Sequence, residues 1–156
     1  MKKFDPSLPV VFIHMEKNGG TTVSHVLDQM CPPGRAFREH ADRHKLEDGT
    51  FDKKDYDIYN GHLFFPKIHC FLKKKANYIT TIRDPLDRFL SFYYWHKKRP
   101  ESIFHSHANK MDISDFFNFF VYEYKNDSGW FNIISQQCYQ LCGERNFEFA
   151  KSLIRN

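Results

Sequence analysis

A short apolar run, two adjacent glycines and an amphipathic helix follow one another near the start of the chain, and this order limits the possible folds more than any other feature. Residues 9–15 (PVVFIHM) are apolar and rich in β-branched side chains, which predicts a buried strand. Residues 18–20 (NGG) end that run. Residues 21–30 place apolar side chains at helical spacing, and the Pro-Pro-Gly sequence at 32–34 ends the helix. The segment therefore predicts a strand, a glycine loop and a helix.

A second strand and helix are predicted around residue 84. Residues 76–83 (ANYITTIR) are rich in β-branched residues and predict a strand that Arg83 ends. Asp84 is suited to cap a following helix, and Pro85 is suited to its first turn. Residues 86–97 carry apolar side chains at helical spacing. The chain thus repeats the order of strand, turn and helix.

The rest of the chain completes an α/β prediction. Residues 57–61 are a weaker candidate strand, and residues 35–55, which are polar and rich in histidine, predict a loop with a short helix. Three later stretches predict helices: residues 113–124, 130–141 and 146–155. We therefore expect a P-loop-like parallel sheet of at least three strands, flanked by helices, and a mostly helical second half. Ligands of such sheets bind beyond the carboxyl ends of the strands.

Length and composition agree with one soluble domain. The 156 residues predict a single domain spanning residues 1–156, and contents of 41% hydrophobic and 17% aromatic residues exclude a disordered chain. No apolar stretch approaches the roughly 20 residues that cross a bilayer. Asp5 and Pro6 stand where a signal peptide needs an apolar run. We expect a cytoplasmic protein.

Charge and cysteine content limit the ligands. The net charge of +4 suits an anionic ligand but is too small for a dedicated nucleic-acid-binding protein. The 4 cysteines are too few for a disulfide scaffold. Cys138 and Cys142 stand one helical turn apart and are predicted to pack in the core rather than to bind a metal. No motif assigns an oligomeric state.

The loop after the first strand has the composition of a phosphate-binding loop. Its residues are Glu16, Lys17, Asn18, Gly19, Gly20, Thr21 and Thr22. Glycines let main-chain N–H groups face an anion, and a helix N-terminus attracts negative charge. Lys17 adds a positive charge, and the two threonine hydroxyls add donors. Because the lysine precedes the glycines, the spacing differs from the Walker pattern and weakens an ATPase interpretation. The alternative is a tight turn in which threonine caps the helix.

Arg83 and Ser91 form a second candidate anion site. Arg83 ends the predicted strand at the same edge of the sheet, and Ser91 lies two turns into the following helix. A guanidinium fork and a hydroxyl suit a terminal phosphate monoester, which carries several acceptor oxygens and nearly two negative charges. The alternative is that Arg83 pairs with Asp84 or Asp87 while Ser91 faces solvent.

Two further runs have mainly structural interpretations. The run Lys73-Lys74-Lys75 is expected to be a solvated loop, with contact to an acidic glycan or to a nucleotide as the alternative. The phenylalanines at positions 116, 117, 119 and 120 are expected in a core or a subunit interface rather than in a sugar-binding surface.

Two separated motifs resemble those of one enzyme family. FIHMEKNGGTT (residues 12–22) is similar to the F-I-H-I-P-K-T-G-G-T-S opening of sulfotransferases, and YITTIRDPLDRFLSFYY (residues 78–94) resembles their Y-I-T-x-[LI]-R-D-P-x-[ED]-R-x-x-S-x-Y-Y segment. The stretch NGHL (residues 60–63) is similar to the family's G-H-x-x-[FY], and residues 137–143 agree more loosely. The chain resembles the carbohydrate sulfotransferases, a group that includes uronyl 2-O-sulfotransferases and bacterial homologues and that uses 3′-phosphoadenylyl sulfate (PAPS).

The resemblance implies a reaction and the residues that carry it. Family members transfer the sulfuryl group of PAPS, without a metal, to a hydroxyl that is here expected on a carbohydrate. Loop residues hold the 5′-phosphosulfate, which implies Lys17, Asn18, Gly19, Gly20, Thr21 and Thr22. The strand-end arginine and the helix serine hold the 3′-phosphate, which implies Arg83 and Ser91. The family's G-H histidine is the base, which implies His62, and Lys17 stabilises the leaving phosphate. His40 and His44 are alternatives on the acceptor side. The resemblance also implies a Golgi membrane location where a longer, anchored form exists.

The chain departs from the family pattern at three places. Glu16 replaces a proline, so weaker PAPS binding is expected, and Tyr139 replaces an arginine, which changes the acceptor side or a structural contact. Family members also continue past the helix predicted at residues 146–155. A minimal enzyme, a fragment and a non-catalytic remnant that binds PAPS or its product therefore stay open, and a P-loop kinase-like phosphotransferase is a further alternative.

Overall fold

The chain folds into short parallel strands and helices, and a computed structural model describes residues 4–39, 41–42, 56–63, 65–72, 75–124, 136–144 and 146–155. The strands are β1 (Val10–Ile13), β2 (Ala36–Arg38), β3 (Ile58–Gly61) and β4 (Asn77–Thr80). The α-helices are α1 (Gly20–Met30), α2 (Phe65–Leu72), α3 (Pro85–Lys98), α4 (His105–Lys110), α5 (Ile113–Asn118), α6 (Gln136–Cys142) and α7 (Phe147–Arg155), and a π-helix spans Phe119–Glu123.

The chain divides into two compact units. The first unit contains Met1–Ile82 and Gln137–Asn156, and the second contains Arg83–Gln136. The sheet belongs to the first unit, whereas the described elements of the second unit are helices. The α/β class and the mostly helical second half are thereby confirmed, and a single domain over residues 1–156 stays a prediction.

The first unit is built on a parallel four-stranded sheet in the order β2-β3-β1-β4. The strand β1 lies between β3 and β4, and its side chains on both faces of the sheet are buried, which is why its sequence is apolar throughout. Val11 and Phe12 are 0% exposed, and Ile13 is 2% exposed. A hydrophobic core joins Val11 and Ile13 to residues of the other strands, of the helices and of the segments beside them: Met15, Phe37, Tyr56, Tyr59, Leu63, Ile68, Leu72, Leu141, Cys142 and Ala150. The sheet therefore fixes the positions of the loops at its carboxyl edge.

The strands differ in extent from the sequence prediction, because pairing with neighbouring strands decides where each strand begins and ends. The predicted strand over residues 76–83 ends at Thr80, because Thr80 pairs with Ile13, the last residue of β1. Arg83 therefore lies three residues beyond the strand instead of ending it. Residues 35–55 were expected to contain no strand, yet Ala36–Arg38 forms β2 and pairs in parallel with β3.

The second unit packs helices around a separate aromatic core. Asp84 caps α3 by accepting hydrogen bonds from the main-chain N–H groups of Leu86 (2.9 Å) and Asp87 (3.2 Å), as its sequence position predicts. The buried residues of this core are Phe89, Phe92, Tyr93, Phe104, Ala108 and Phe116. Phe119 and Phe120 pack against them, whereas Phe117 is 38% exposed. The phenylalanine run is thus mainly core.

An arginine is buried in the second unit. Arg88 is 1% exposed, and its Nη1 donates a 2.7 Å hydrogen bond to Oε1 of Gln136.

Among the described residues, no helix has both the length and the apolar character needed to span a membrane.

Candidate functional site

The loop between β1 and α1 has an unusual main-chain conformation. Lys17 has a φ of 63° and Gly19 has a φ of 77°, so both lie in the left-handed region. A non-glycine residue seldom adopts this conformation, and residues that do are frequent at binding sites. The loop leaves the carboxyl end of β1, which is the edge of a parallel sheet where ligands bind.

The N-terminus of α1 is open to an anion. The 11-residue helix begins at Gly20, its N-cap residue Gly19 gives no side-chain hydrogen bond, and its first turn contains no acidic residue. The Thr21 and Thr22 side chains are exposed there. The first N–H groups of a helix have no partner within the helix, and the helix dipole favours negative charge beside them. In contrast, a carboxylate from Asp84 already caps α3.

Gly20 permits a close approach between the loop and a histidine. A Cβ atom at position 20 would lie 2.2 Å from Cδ2 of His14 and 2.6 Å from its Nε2. The His14 ring also stacks on the ring of His62, with 4.6 Å between the centroids and 26° between the planes. The absence of a side chain at position 20 therefore leaves room for this pair of histidines.

Asn18 braces the loop from inside. Its side chain is 7% exposed, and its Nδ2 donates hydrogen bonds to the main-chain oxygen of Thr81 (2.8 Å) and to Oε1 of Gln137 (2.9 Å). Both side-chain N–H donors are thus used inside the first unit. The contacts join the loop to the segment after β4 and to α6, so Asn18 holds the shape of the loop.

His62 follows the last residue of β3 and has a defined tautomer. Its Nδ1 lies 2.7 Å from the main-chain oxygen of His14. A carbonyl oxygen only accepts, so the Nδ1–H of His62 donates this bond, and in the neutral ring Nε2 carries the lone pair. The main-chain N–H of His14 donates in turn to the oxygen of Gly61 at 2.8 Å. The ends of β1 and β3 therefore orient this imidazole so that, in its neutral form, the lone pair is on Nε2.

Glu39 is a residue of this edge that the sequence analysis did not identify. It follows β2, is 4% exposed, and its Oε2 accepts a hydrogen bond of 3.1 Å from the main-chain N–H of His62. Nothing in the local sequence marks this residue, because its position depends on the pairing of β2 with β3.

The remaining candidate residues are distributed over both units. Arg83 and Ser91 belong to the second unit, where Arg83 is exposed and Ser91 is half-buried on α3. Glu16 and Tyr139 of the first unit are half-buried. Four residues singled out in the sequence fall outside the described residues: His40, His44, Lys73 and Lys74.

Comparison with known proteins gives the family. Residues 3–153 match the family model described as "Sulfotransferase family". The chain belongs to the sulfotransferase family. This result confirms the resemblance seen in the two sequence motifs.

The curated relatives that this sulfotransferase-family chain matches are named for a polysaccharide, heparan sulfate. The chain is 24% identical over 106 residues to heparan sulfate 2-O-sulfotransferase 1 of Cricetulus griseus, a match that covers 58% of this chain and 30% of that protein. The Mus musculus protein of the same name is 26% identical over 101 residues, which covers 55% of this chain and 28% of the relative. The match thus spans less than a third of the length of these relatives. No solved structure matches the chain.

The described part of this sulfotransferase-family chain contains no group of three or more histidine, cysteine, aspartate or glutamate residues placed to hold a metal ion. The two cysteines that stand one turn apart pack in the first unit, as predicted. Cys142 is buried, and its Sγ donates to the main-chain oxygen of Cys138 at 3.1 Å. Burial raises the pKa of the Cys138 thiol, the nearby Cys142 sulfur adds to this effect, and so the neutral form is favoured.

Proposed function

We propose that this chain is a PAPS-dependent sulfotransferase that transfers the sulfuryl group to a hydroxyl of a carbohydrate. The observation that carries the proposal is the hydrogen bond from Nδ1 of His62 to the main-chain oxygen of His14. It leaves the lone pair of a neutral imidazole on Nε2, and it does so at the same sheet edge as a loop suited to an anion. Membership of the sulfotransferase family supports the reaction class.

The loop between β1 and α1 is the proposed site for the phosphosulfate end of the donor. Lys17 supplies positive charge, and the first turn of α1, which includes Gly20, Thr21 and Thr22, supplies main-chain N–H groups and hydroxyls. Gly19 gives the left-handed turn that the loop requires. We assign Asn18 a bracing role, because its amide donors already bind Thr81 and Gln137.

His62 is the proposed base and Lys17 the proposed stabiliser of the leaving phosphate. PAPS would supply the sulfuryl group together with a phosphate that leaves. Nε2 of His62 takes the proton of the acceptor hydroxyl as its oxygen bonds to sulfur. The ammonium group of Lys17 offsets the negative charge that develops on the departing oxygen. No metal is required by these steps, since the chain supplies both the base and the cation.

Arg83 and Ser91 are proposed to bind the 3′-phosphate of the donor. The proposal for this pair rests on the R-D-P and S-x-Y-Y positions of the second motif and on the match of a guanidinium to a phosphate dianion. The acceptor is proposed to be a carbohydrate, because the curated relatives are named for heparan sulfate. We propose no nucleic-acid partner.

Transfer of labelled sulfate from PAPS to a panel of glycans that includes desulfated heparan sulfate tests the reaction. We expect His62→Ala to abolish turnover while binding of adenosine 3′,5′-bisphosphate changes little. His25→Ala is the matched control, since His25 is exposed on α1 and is expected to have no role. Equal loss of turnover and of nucleotide binding in His62→Ala would refute the base assignment.

Calorimetric titration, combined with the transfer assay, distinguishes an enzyme from a non-catalytic binder. Adenosine 3′,5′-bisphosphate is expected to bind more tightly than ATP, and Arg83→Ala is expected to remove this preference. Lys17→Ala is expected to weaken both nucleotides, whereas Lys110→Ala, which changes an exposed lysine at the end of α4, serves as control. Tight binding without transfer to any glycan would favour a PAPS-binding remnant, and preference for ATP with Mg²⁺ would favour a phosphotransferase.

A further inference from the structure

A buried carboxylate holds the main chain at the proposed base. Glu39 is 4% exposed, and its Oε2 accepts the main-chain N–H of His62 at 3.1 Å. A buried carboxylate adds little to stability compared with an apolar side chain of similar volume, because removing the charge from water is unfavourable. The position of Glu39 therefore calls for an explanation other than stability.

The parallel register explains how this side chain reaches His62. Ala36, Phe37 and Arg38 of β2 pair with Ile58, Tyr59 and Asn60 of β3. The next positions along the two strands are Glu39 and Gly61. A Cβ at Gly61 would lie 2.2 Å from Cβ of Glu39 and 3.2 Å from its Oε2. The Glu39 side chain thus passes directly over Gly61 and binds the N–H of the following residue.

His62 is therefore held at two atoms. Its main-chain N–H donates to Glu39, and its Nδ1–H donates to the oxygen of His14. The first bond fixes where the main chain enters residue 62, and the second fixes the ring. If the main chain shifted, Nδ1 would lose its carbonyl partner, and the ring would be free to adopt the other tautomer, in which Nε2 carries the proton.

We propose that Glu39 is a positioning residue for His62, which keeps the lone pair on Nε2 by fixing the main chain at position 62. The importance of this role rests on the proposed function, in which Nε2 of His62 accepts the proton. Glu39 acts through the His62 amide. A glutamine is expected to replace it, since the amide oxygen also accepts a hydrogen bond.

Nitrogen-15 NMR of the imidazole resonances tests the proposal without donor or acceptor. Spectra are recorded at pH 8, where an ordinary histidine is neutral. The wild type and Glu39→Gln are expected to show His62 as the Nδ1–H tautomer. Glu39→Ala is expected to show predominantly the Nε2–H tautomer, which free histidine prefers. Glu148→Ala, which changes an exposed glutamate of α7, is the control.

A second variant keeps the proposal testable if Glu39→Ala does not fold. Glu39→Met keeps the length of the side chain but cannot accept the bond, so it is expected to behave as Glu39→Ala does. A wild-type tautomer in a folded Glu39→Ala or Glu39→Met protein overturns the proposal, and so does a change of tautomer in Glu39→Gln. A fall in melting temperature with the tautomer retained also overturns it, because that result describes a purely structural residue.

The activity of the same variants gives a second readout. If the wild type transfers sulfate, Glu39→Met is expected to lose about 100-fold in kcat with little change in KM for the donor, whereas Glu39→Gln keeps most of the activity. If the wild type transfers no sulfate, the proposed function fails, but the tautomer comparison still decides whether Glu39 positions His62. Equal kcat values for the methionine and glutamine variants would overturn the positioning role.

Discussion

The imidazole rings of His14 and His62 stack with their centroids 4.6 Å apart and their planes 26° apart. The His14 ring also lies beside Gly20, and its centroid is 5.6 Å from that of the Phe12 ring. His14 thus contacts both the first residue of α1 and the proposed base, His62. A change at the loop is expected to reach His62 through this ring.

Gly20→Ala is expected to destabilise the protein and to disturb His62. The new Cβ would lie 2.2 Å from Cδ2 of His14, so the ring must move, and overpacking of this kind costs about 1–3 kcal/mol. Chemical denaturation and the NMR resonances of His62 are the measurements. Gly19→Ala is the control, because it meets no atom within 4 Å and adds only left-handed strain of about 1–2 kcal/mol. Unchanged His62 resonances in Gly20→Ala would contradict the coupling.

Asn18→Ala is expected to lower the free energy of unfolding by about 1–3 kcal/mol, because the part-buried oxygens of Thr81 and Gln137 lose the donor that Asn18 supplies. Asn18→Asp is expected to be worse, since it places a carboxylate oxygen against two acceptors. A double-mutant cycle with Gln137→Ala measures the coupling, expected at about 0.5–3 kcal/mol. Additive effects of the two substitutions would contradict the hydrogen bond.

Tyr78 is expected to make the stability of the protein depend on alkaline pH. Burial, with a smaller effect of Cys70, raises the pKa of Tyr78 from 10.0 to about 12. The folded protein then holds this proton more tightly than the unfolded chain, so the free energy of unfolding falls as the pH rises from 10 to about 12. Denaturation across this range is compared with Tyr78→Phe, whose curve is expected to fall less. Identical slopes would contradict the raised pKa.

Asp84→Ala is expected to destabilise α3 by about 0.5–2 kcal/mol, because two main-chain N–H groups lose their acceptor. Asp84→Asn keeps an acceptor oxygen and is expected to lose much less. Thermal unfolding of the two variants side by side gives the comparison. If both variants lose the same stability, the charge at the helix start matters more than the hydrogen bonds.

The elements that local sequence decides could be predicted. The strand predicted at residues 9–15 is Val10–Ile13, and the helices predicted at 21–30 and 86–97 are Gly20–Met30 and Pro85–Lys98. Periodicity and capping residues determine these segments without help from the rest of the chain. The weak strand candidate at 57–61 is also confirmed, as Ile58–Gly61.

The elements that distant pairing decides were missed. β2 has 3 residues, and its strand character comes from β3, which lies about 20 residues later in the chain. Two helices, α2 and α4, were also not predicted: α2 begins at a Phe-Pro pair, and α4 has only 6 residues and no apolar periodicity. The helix predicted at 130–141 is observed at Gln136–Cys142, and residues 130–135 lie outside the described residues.

The candidate site divides in the same way. Composition marks Lys17, the glycines and the threonines of the loop, because this residue set is typical of anion binding. His62 was found by resemblance of a short motif. Glu39 and the ring of His14 could not be assigned their contacts, since these depend on the register of β2 with β3 and on the packing of α1 at Gly20.

The bond from Asn18 to Gln137 joins residues 119 positions apart in the chain. When translation has reached residue 82, all four strands of the described sheet have been synthesised. Gln137, whose amide oxygen accepts the hydrogen bond from Asn18 in the loop between β1 and α1, has not. Contacts of such high sequence separation form late, because the intervening chain must be ordered before they close. The loop most suited to an anion is therefore expected to acquire its final shape only after residue 137 has been synthesised.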